Sequence, residues 1–154
     1  MSKISIWLGS DHAGVDAKAQ LTQYIRQNLR DFECHDLGPS GPESTDYPSY
    51  AEKVGHKVVS AGGVGICICG SGLGMSIAAN KVAGVRAITA WDVTSARLSR
   101  EHNDANVLCL GARLTGLEVL KDIAHVWLTT AFKGGHHAAR VDMIKKMENG
   151  AKPL

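Results

Sequence analysis

The run at residues 66–75, Ile-Cys-Ile-Cys-Gly-Ser-Gly-Leu-Gly-Met, constrains the fold more than any other segment of this chain. Its alternating isoleucines and cysteines predict a strand with both faces buried, as in a parallel sheet. The three glycines predict a turn whose backbone N–H groups are free to face an anion. Residues 75–82 predict a short helix after the turn. The run therefore places a thiol, that of Cys69, at the carboxyl end of a strand and near the start of a helix.

The position of Cys69 has chemical consequences. The positive end of a helix stabilises a thiolate, and fixed N–H donors stabilise an oxyanion that develops beside them. Glycine-rich turns between strands and helices are also common in α/β proteins, where they serve only to reverse the chain. The turn by itself therefore leaves both a catalytic and a structural role open.

Strand-like and helix-like segments alternate along the whole chain, with no internal repeat. The predicted strands cover residues 3–9, 32–37, 66–69, 85–90 and 107–110. The predicted helices cover residues 14–29, 49–61, 75–82, 93–101, 117–132 and about 137–148. This alternation is typical of a parallel sheet with helices on both faces. With right-handed crossovers it predicts a doubly wound, Rossmann-like or flavodoxin-like α/β/α sandwich around a five-stranded parallel sheet.

The last predicted helix lies beyond this repeating unit. Its apolar stripe, formed by Val141, Ile144 and Met147, has little sheet left to cover. The simplest use of such a stripe is packing against a second subunit. We therefore expect at least a dimer, with this carboxyl-terminal helix in the interface.

The composition is that of a globular protein with one domain, which we expect to span residues 1–154. Hydrophobic residues make up 44% of the chain and charged residues 21%. The net charge of +2, without a run of lysines or arginines, argues against nucleic acid as a partner. No stretch approaches the roughly 20 apolar residues of a membrane span, and the amino terminus lacks the apolar core of a signal peptide. We therefore expect a cytoplasmic protein that does not bind membranes.

The cysteines are expected to be reduced thiols, since all four lie in apolar, strand-like segments of a chain with no sign of export. A single Cys-x-Cys pair without a second pair at ligand spacing is poor evidence for zinc, and we expect neither a metal nor a cofactor. Cys34, Cys67 and Cys109 are expected in the core, with the Cys67 side chain pointing away from that of Cys69.

Polar residues cluster where the predicted strands end. Ligands in sheets of this kind bind outside the carboxyl ends of the strands. Asp11 and His12 follow the first predicted strand, and Cys69 ends the third. We therefore expect these side chains to lie at one edge of the sheet. Two structural alternatives stay open, because Asp11 also suits a helix cap and Tyr47, just before a proline, also suits a packing role.

Five segments carry a resemblance to a known family. They are Ser-Asp-His-Ala-Gly at 10–14, Thr-Asp-Tyr-Pro at 45–48, the run at 69–81, Ser-Arg-Glu-His-Asn-Asp-Ala-Asn at 99–106, and Gly-Ala-Arg at 111–113. Together they resemble the ribose-5-phosphate isomerase B family, which also includes galactose-6-phosphate and allose-6-phosphate isomerases. Galactose-6-phosphate isomerases generally lack the cysteine run, so the resemblance favours the ribose-5-phosphate branch.

The resemblance implies an aldose–ketose isomerase that interconverts ribose 5-phosphate and ribulose 5-phosphate through a cis-enediolate, without a metal. It makes Cys69 the base that removes the carbon-bound proton. It assigns stabilisation of the enediolate oxygen to the Ser71 hydroxyl and to the backbone N–H groups of the turn glycines. These glycines are Gly70, Gly72 and Gly74.

The resemblance also implies a site shared between two subunits of a homodimer, or of a dimer of dimers. It assigns ring opening to His102, with Asp11 aiding the proton transfer. The segments that carry His102, Asn103 and Arg113 are implied to come from the second subunit.

Other residues match those that bind the sugar phosphate in the family. His12, Arg113 and Arg140 match basic residues that hold the phosphate. Tyr47 and Asn103 match residues that line the sugar hydroxyls.

One departure from the family concerns the phosphate. The family usually has Glu-Gly-Gly-Arg-His before its last helix, whereas residues 133–137 here are Lys-Gly-Gly-His-His. His136 therefore replaces an arginine that helps to hold the phosphate, and an imidazole is shorter, mostly neutral at pH 7 and unable to form a bidentate fork. Either the phosphate is held more weakly, or the substrate is another sugar phosphate, such as erythrulose 4-phosphate or allose 6-phosphate.

A non-catalytic module that binds sugar phosphates is the alternative from another functional class. Such a binder needs no base. The presence of Asp11, Cys69, Ser71 and His102 in one chain therefore favours the enzyme.

Overall fold

The computed structural model of the protein describes residues 1–150, in which strands and helices alternate. The strands are β1 (Ile4–Ser10), β2 (Phe32–Asp36), β3 (Val64–Cys69), β4 (Ala87–Thr89) and β5 (Val107–Gly111). The helices are α1 (Val15–Asn28), α2 (Tyr47–Ala61), α3 (Leu73–Ala79), α4 (Val93–Asn103), α5 (Leu117–Thr129) and α6 (His136–Glu148). A 3-10 turn, His12–Gly14, precedes α1. Residues 151–154 of the predicted domain lie outside the described residues.

The strands form a five-stranded sheet in the order β2-β1-β3-β5-β4, and all of its pairs are parallel. Each face has its own apolar core. Ile66 and Ile68 of β3 belong to the core under α1 and α5, whereas Cys67 and Cys69 belong to the core under α2 and α3. This arrangement confirms the predicted doubly wound sandwich. No helix in the described part of the chain is long and apolar enough to span a membrane.

Cys67 is a core residue, as predicted, but its side chain lies on the same face of the sheet as that of Cys69. The prediction that the two side chains point in opposite directions was wrong, because residues two apart on a strand share a face. Cys109, which pairs with Cys67 across β3 and β5, also lies on this face. Three thiols therefore lie under α2 and α3.

His102 and Asn103 lie in the last turn of α4, not in the predicted loop at 102–106. The helix ends at Asn103. The next residue, Asp104, adopts a left-handed conformation with φ 46° and donates its backbone N–H to the Arg100 carbonyl oxygen. The Arg100 guanidinium also binds the Asp104 carboxylate, with an N···O distance of 3.1 Å. This cap extends the helix by two residues beyond the prediction.

The helix after the glycine turn is displaced towards the turn, since α3 covers Leu73–Ala79 and not 75–82. The Asn80 side chain explains the early end. Its amide accepts a hydrogen bond from the Ala87 N–H at 2.8 Å and donates one to the Ala87 carbonyl oxygen at 2.9 Å. These bonds pair the chain with β4 at the point where the helix would otherwise continue.

The last helix, α6, runs along the amino edge of the sheet. It contacts α4, and the Glu148 carboxylate near its end accepts a hydrogen bond from the Gly84 N–H at 2.9 Å. Val141 is only 3% exposed, so the expectation that it packs against a partner was wrong, because it is already covered within its own chain. Ile144 and Met147 are 42% and 55% exposed and keep an apolar surface on this helix.

Candidate active site

Three strands bring their carboxyl ends together beside Cys69. Cys69 pairs with Gly111 of β5, and the Asp11 N–H, just past β1, donates to the Ile68 carbonyl oxygen at 3.1 Å. The Arg113 N–H donates to the Gly70 carbonyl oxygen at 2.9 Å. The segments that follow β1, β3 and β5 therefore meet at one edge of the sheet.

The Cys69 sulfur is 5% exposed and accepts a hydrogen bond from the Gly72 N–H, with an N···S distance of 3.1 Å. Gly72 can turn its N–H back towards the sulfur because its φ is +82°, which a residue with a Cβ rarely adopts. A donor aimed at sulfur stabilises negative charge on it. The arrangement therefore suits a thiol that acts as a base.

The glycine turn offers free hydrogen-bond donors next to this sulfur. Among the described residues, the backbone N–H groups of Gly70 and Ser71 have no hydrogen-bond partner. The Ser71 Oγ accepts a hydrogen bond from the Leu73 N–H at 3.2 Å, which leaves the hydroxyl proton available for another group. The turn lies close to β5, since a Cβ on Gly111 would come within 2.6 Å of the Ser71 carbonyl oxygen. These donors can stabilise an oxyanion beside Cys69.

Tyr47 reaches the same turn from the first residue of α2. Its ring lies so close to Gly74 that a Cβ there would be 2.5 Å from the ring carbon Cζ and 2.8 Å from the hydroxyl oxygen. The residue is partly exposed, at 39%, so it both packs on the turn and presents a hydroxyl to solvent. Tyr47 therefore lies where a ligand over the turn would meet it.

Asp11 and His12 form the wall on the β1 side. The buried Asp11 carboxylate accepts a hydrogen bond from the Ala13 N–H at 2.9 Å, which is the cap role that the sequence left open. The Nδ1 of His12 lies 3.3 Å from the Thr45 N–H, which donates to it. Since Nδ1 is the acceptor, a neutral His12 carries its proton on Nε2, and this nitrogen is a hydrogen-bond donor.

Arg113 lies on this side of the sheet, beside the glycine turn of its own chain. Its side-chain Nη1 would be 3.6 Å from a Cβ on Gly70, and the guanidinium makes no ion pair or hydrogen bond with the described residues. The implication that Arg113 joins the site from a second subunit was therefore wrong. Because β5 runs parallel to β3, the residues after both strands reach the same edge.

His102 and Asn103 lie at the opposite, amino edge of the sheet. They end α4 just before β5, and the Gly65 N–H near the start of β3 donates to the Asn106 carbonyl oxygen at 2.8 Å. Four residues of strand separate Gly65 from Cys69, which corresponds to about 13 Å. One chain does not bring His102 to Cys69.

A cluster of imidazoles surrounds His102 at this edge. The His102 ring stacks on that of His137, with centroids 4.3 Å apart and an angle of 12°, and the His136 ring lies 4.0 Å from that of His137. Partial loss of hydration, then the nearby positive charges of His136, His102, Arg140 and Lys133, lowers the pKa of His137. The exposed Arg140 lies one turn further along α6. Sequence analysis did not single out His137, although it adjoins His136 in the altered motif.

The matching of whole sequences decides the family. The sequence model of a family described as ribose/galactose isomerase matches residues 6–144 of this chain. The chain belongs to the ribose/galactose isomerase family. Within it, the chain is 45% identical over 151 residues to ribose-5-phosphate isomerase B of Escherichia coli, a match that covers 96% of this chain and 97% of that protein. The predicted isomerase B resemblance is thereby confirmed.

Solved structures of the isomerase family have the same fold. Ribose-5-phosphate isomerase B of Clostridium thermocellum is 46% identical, with a TM-score of 0.91 over 96% of this chain and 99% of that one. The Mycoplasma genitalium enzyme with bound ribulose 5-phosphate is 35% identical, with a TM-score of 0.92 over 98% of this chain and 100% of that one. A relative with another substrate, the D-erythrulose-4-phosphate isomerase of Pectobacterium atrosepticum, is 38% identical over 150 residues, which is 97% of this chain and 98% of that protein.

Proposed function

We propose that this chain interconverts ribose 5-phosphate and ribulose 5-phosphate, with Cys69 as the base. The chain is an aldose–ketose isomerase of the ribose-5-phosphate isomerase B type. The observation that carries the assignment of the base is the hydrogen bond from the Gly72 N–H to the Cys69 sulfur, next to the free N–H groups of Gly70 and Ser71. Proton removal beside a carbonyl needs a base and oxyanion donors at one point, and these groups supply both.

The reaction moves one proton between neighbouring carbons. The Cys69 thiolate removes the proton from C2 of the open-chain aldose, and the electron pair of the C–H bond forms the enediolate double bond as the carbonyl oxygen becomes negative. The Ser71 hydroxyl and the N–H groups of the turn stabilise that oxygen. The C2 hydroxyl then passes its proton to the oxygen on C1, and the protonated thiol returns its proton to C1, so that the C2 oxygen becomes the carbonyl of the ketose and Cys69 is a thiolate again.

The proposed site lies between two subunits. Asp11 and Cys69 of one chain lie at the carboxyl edge of the sheet, whereas His102, which opens the sugar ring, lies at the amino edge. A second copy that faces the carboxyl edge with its own amino edge brings His102 and Asn103 to Cys69. We therefore propose a homodimer, or a dimer of dimers, with shared sites.

The apolar surface around the site supports this dimer. Large apolar side chains stay exposed on the segments after β3, β4 and β5, whose carboxyl ends are neighbours in the sheet. They are Leu73, Ile77, Trp91, Val93 and Leu114. Large apolar side chains exposed on neighbouring segments are typical of a protein interface, and a second copy would bury them.

The substrate's phosphate is held by basic groups from both chains in this arrangement. On the Cys69 side, His12 presents Nε2–H and Arg113 presents a guanidinium that has no partner among residues 1–150. Arg140 and His136 approach from the partner, where both are exposed at the start of α6. Tyr47 and Asn103 lie on either side of the sugar hydroxyls.

The four cysteines are free thiols, which fits the reducing cytoplasm, and we propose that compartment for the enzyme. Two of these thiols, Cys67 and Cys109, lie in the sheet interior, where oxidation to a strained bridge would disturb the core. Expression with a fluorescent tag, followed by fractionation, tests the compartment.

A second substrate deserves a direct test, because His136 stands where the family usually has an arginine and a relative acts on erythrulose 4-phosphate. Purified protein is assayed with ribose 5-phosphate, erythrulose 4-phosphate and allose 6-phosphate. We expect the highest kcat/KM for ribose 5-phosphate. A higher value for erythrulose 4-phosphate would transfer the assignment to that substrate, and tight binding of all three without turnover would favour the binding module.

A further inference from the structure

Lys18 in α1 is a buried lysine that the proposed chemistry does not use. Its side chain is 2% exposed, and its Nζ donates hydrogen bonds of 2.6 Å to the Asp36 carboxylate and 2.6 Å to the Pro39 carbonyl oxygen. Removing an ammonium group from water is costly unless the group is paired and fully hydrogen-bonded. The bonds to Asp36 and Pro39 use two of the three N–H donors and pair the charge, and they make Lys18 a cross-link between α1 and the end of β2.

The cross-link continues to the end of β1, directly before Asp11. The Gly38 N–H donates to the Asp36 carboxylate at 2.8 Å, and the Gly38 carbonyl oxygen accepts from the Ser10 N–H at 3.1 Å. We call Lys18, Asp36, Gly38 and Pro39 the Lys18 clamp. Because α1 and Ser10 flank Asp11 and His12 in sequence, the clamp joins the segment that carries these two residues to the start of the segment 37–46.

The far end of the segment 37–46 reaches the site. The Thr45 N–H donates to the His12 Nδ1 at 3.3 Å, and Tyr47 follows directly with its ring on Gly74. The segment is therefore held at one end by the Lys18 clamp and contacts His12 at the other. A change at the clamp would reach His12 and Tyr47 but not Cys69, which is held by the pairing of β3 with β5.

We propose that Lys18 is a positioning residue that orients His12 and Tyr47 for the sugar phosphate through the segment 37–46. This inference rests on the proposed function for the roles of His12 and Tyr47. It predicts that loss of the clamp weakens substrate binding more than it slows the chemical step, since the base and its donors stay in place.

The first test compares KM and kcat for ribose 5-phosphate in Lys18→Met, which keeps the buried stem and removes the ammonium. We expect KM to rise about tenfold with kcat within about twofold of the wild-type value. The matched control is Thr22→Val, one turn further along α1, because the buried Thr22 hydroxyl has no hydrogen-bond partner in the described part of the chain. If Lys18 only stabilised the fold, its loss would lower the active fraction and hence the apparent kcat, with KM unchanged.

Asp36→Ala breaks the Lys18 clamp from the other partner of the ion pair. Asp36 is 46% exposed and therefore tolerates truncation better than a core position. We expect Asp36→Ala and the double variant with Lys18→Met to raise KM by about the same factor as Lys18→Met alone. Non-additive effects of this kind are expected for residues that act through one contact. Unchanged KM in both single variants would overturn the proposal.

A readout without turnover separates this inference from the proposed function. Nitrogen NMR of the imidazole of His12 at pH 7.5, assigned with His12→Gln, reports which ring nitrogen carries the proton. We expect the Nε2–H tautomer in the wild type and a mixture of tautomers in Lys18→Met, because Thr45 no longer holds Nδ1. A wild-type His12 spectrum in Lys18→Met would overturn the positioning role even if the protein isomerised none of the sugar phosphates tested.

Discussion

The thiols of this chain differ in what surrounds each sulfur. Burial raises the pKa of Cys34 to about 11, with a small opposing effect of Arg26. Burial, followed by a hydrogen bond with Cys67 and by the charges of Cys67 and Cys69, raises the pKa of Cys109 well above its usual value. Cys34 and Cys109 therefore stay protonated at neutral pH and do not act as bases. Cys69 differs because it lies at the edge of the sheet and accepts a hydrogen bond from Gly72.

Cys69→Ala should lower kcat by about 10²- to 10⁴-fold, because the base is lost while the small side chain is replaced without strain. The control is Cys34→Ala, on the other face of the sheet, which should keep its activity and lose about 1 kcal/mol of stability. Initial rates and urea unfolding measure the two effects. Iodoacetate should label Cys69 of the native enzyme, and ribose 5-phosphate should slow the labelling. Near-normal turnover by Cys69→Ala would mean that another group is the base.

His136→Arg should bind ribose 5-phosphate more tightly than the wild type at pH 8, because arginine is charged there and an imidazole is mostly neutral. A charge-assisted contact of about 1.5–3 kcal/mol limits the effect to roughly a tenfold to hundredfold ratio of KM values. Taking the ratio of the two enzymes at each pH cancels the titration of the substrate's own phosphate. Equal KM values for the two enzymes at pH 8 would remove His136 from the phosphate site.

At the scale of elements, the observed helix bounds differ from the predicted ones at the junction between α4 and α6. The α4 helix continues to Asn103, and α6 begins at His136, so that His102 and His137 stack across the junction. The Lys133 N–H donates to the Glu101 carbonyl oxygen at 3.1 Å, and the Lys133 ammonium lies 3.0 Å from the Glu101 carboxylate. The Lys133–Glu101 ion pair and the stacked rings of His102 and His137 therefore both hold the junction.

This stack should make the protein less stable in acid. The pKa of His137 is lowered in the folded protein, so the folded state binds fewer protons than the unfolded state near pH 6. The contribution of His137 is therefore fully present above the unfolded value of about 6.5 and is lost as the pH falls below it. His137→Phe keeps a flat ring without a titratable group. We expect its melting temperature to fall less between pH 7.5 and pH 5.5 than the melting temperature of the wild type. The control is His56→Phe, on the exposed face of α2, which should lose at least as much as the wild type, because it removes an imidazole that can pair with the Glu52 carboxylate 3.5 Å away.

At the scale of the whole molecule, the groups that we propose for one reaction lie at opposite edges of one sheet. Asp11, Cys69 and Arg113 lie at the carboxyl edge, and His102 and Arg140 lie at the amino edge. A sheet of fixed strand length cannot bring the two edges together. We therefore propose that a second copy, facing the first across the exposed apolar side chains of the carboxyl edge, completes the site.

Mixing two inactive variants tests this arrangement. Cys69→Ala and His102→Asn should each be nearly inactive, and a denatured and refolded equal mixture should recover about a quarter of the wild-type activity. Half of the dimers then contain one chain of each kind, and one of the two sites in such a dimer has both intact residues. Light scattering should give the mass of a dimer or a larger assembly. A monomeric mass with full activity, or a mixture without recovered activity, would contradict the shared site.

Much of the fold follows from local chemistry that the sequence carries by itself. The alternation at 66–69 predicts a buried strand, the glycines at 70, 72 and 74 predict the turn, and the repeated pattern predicts the parallel sheet, because each depends on neighbours in the chain. The shared face of Cys67 and Cys69 also follows from the two-residue period of a strand. The family resemblance located Cys69, His102 and Arg113 as candidates, because motif matching needs only the order of residues.

Only the tertiary structure decided how these residues lie relative to one another. The Arg100 and Asp104 side chains extend α4 over His102, and the pairing of β5 with β3 brings Arg113 to the glycine turn of its own chain. The burial of Val141 under its own chain and the cross-link made by Lys18 also depend on contacts between distant segments. Such contacts are set by strand order and helix packing, which join residues far apart in sequence, and no local pattern of residues records them.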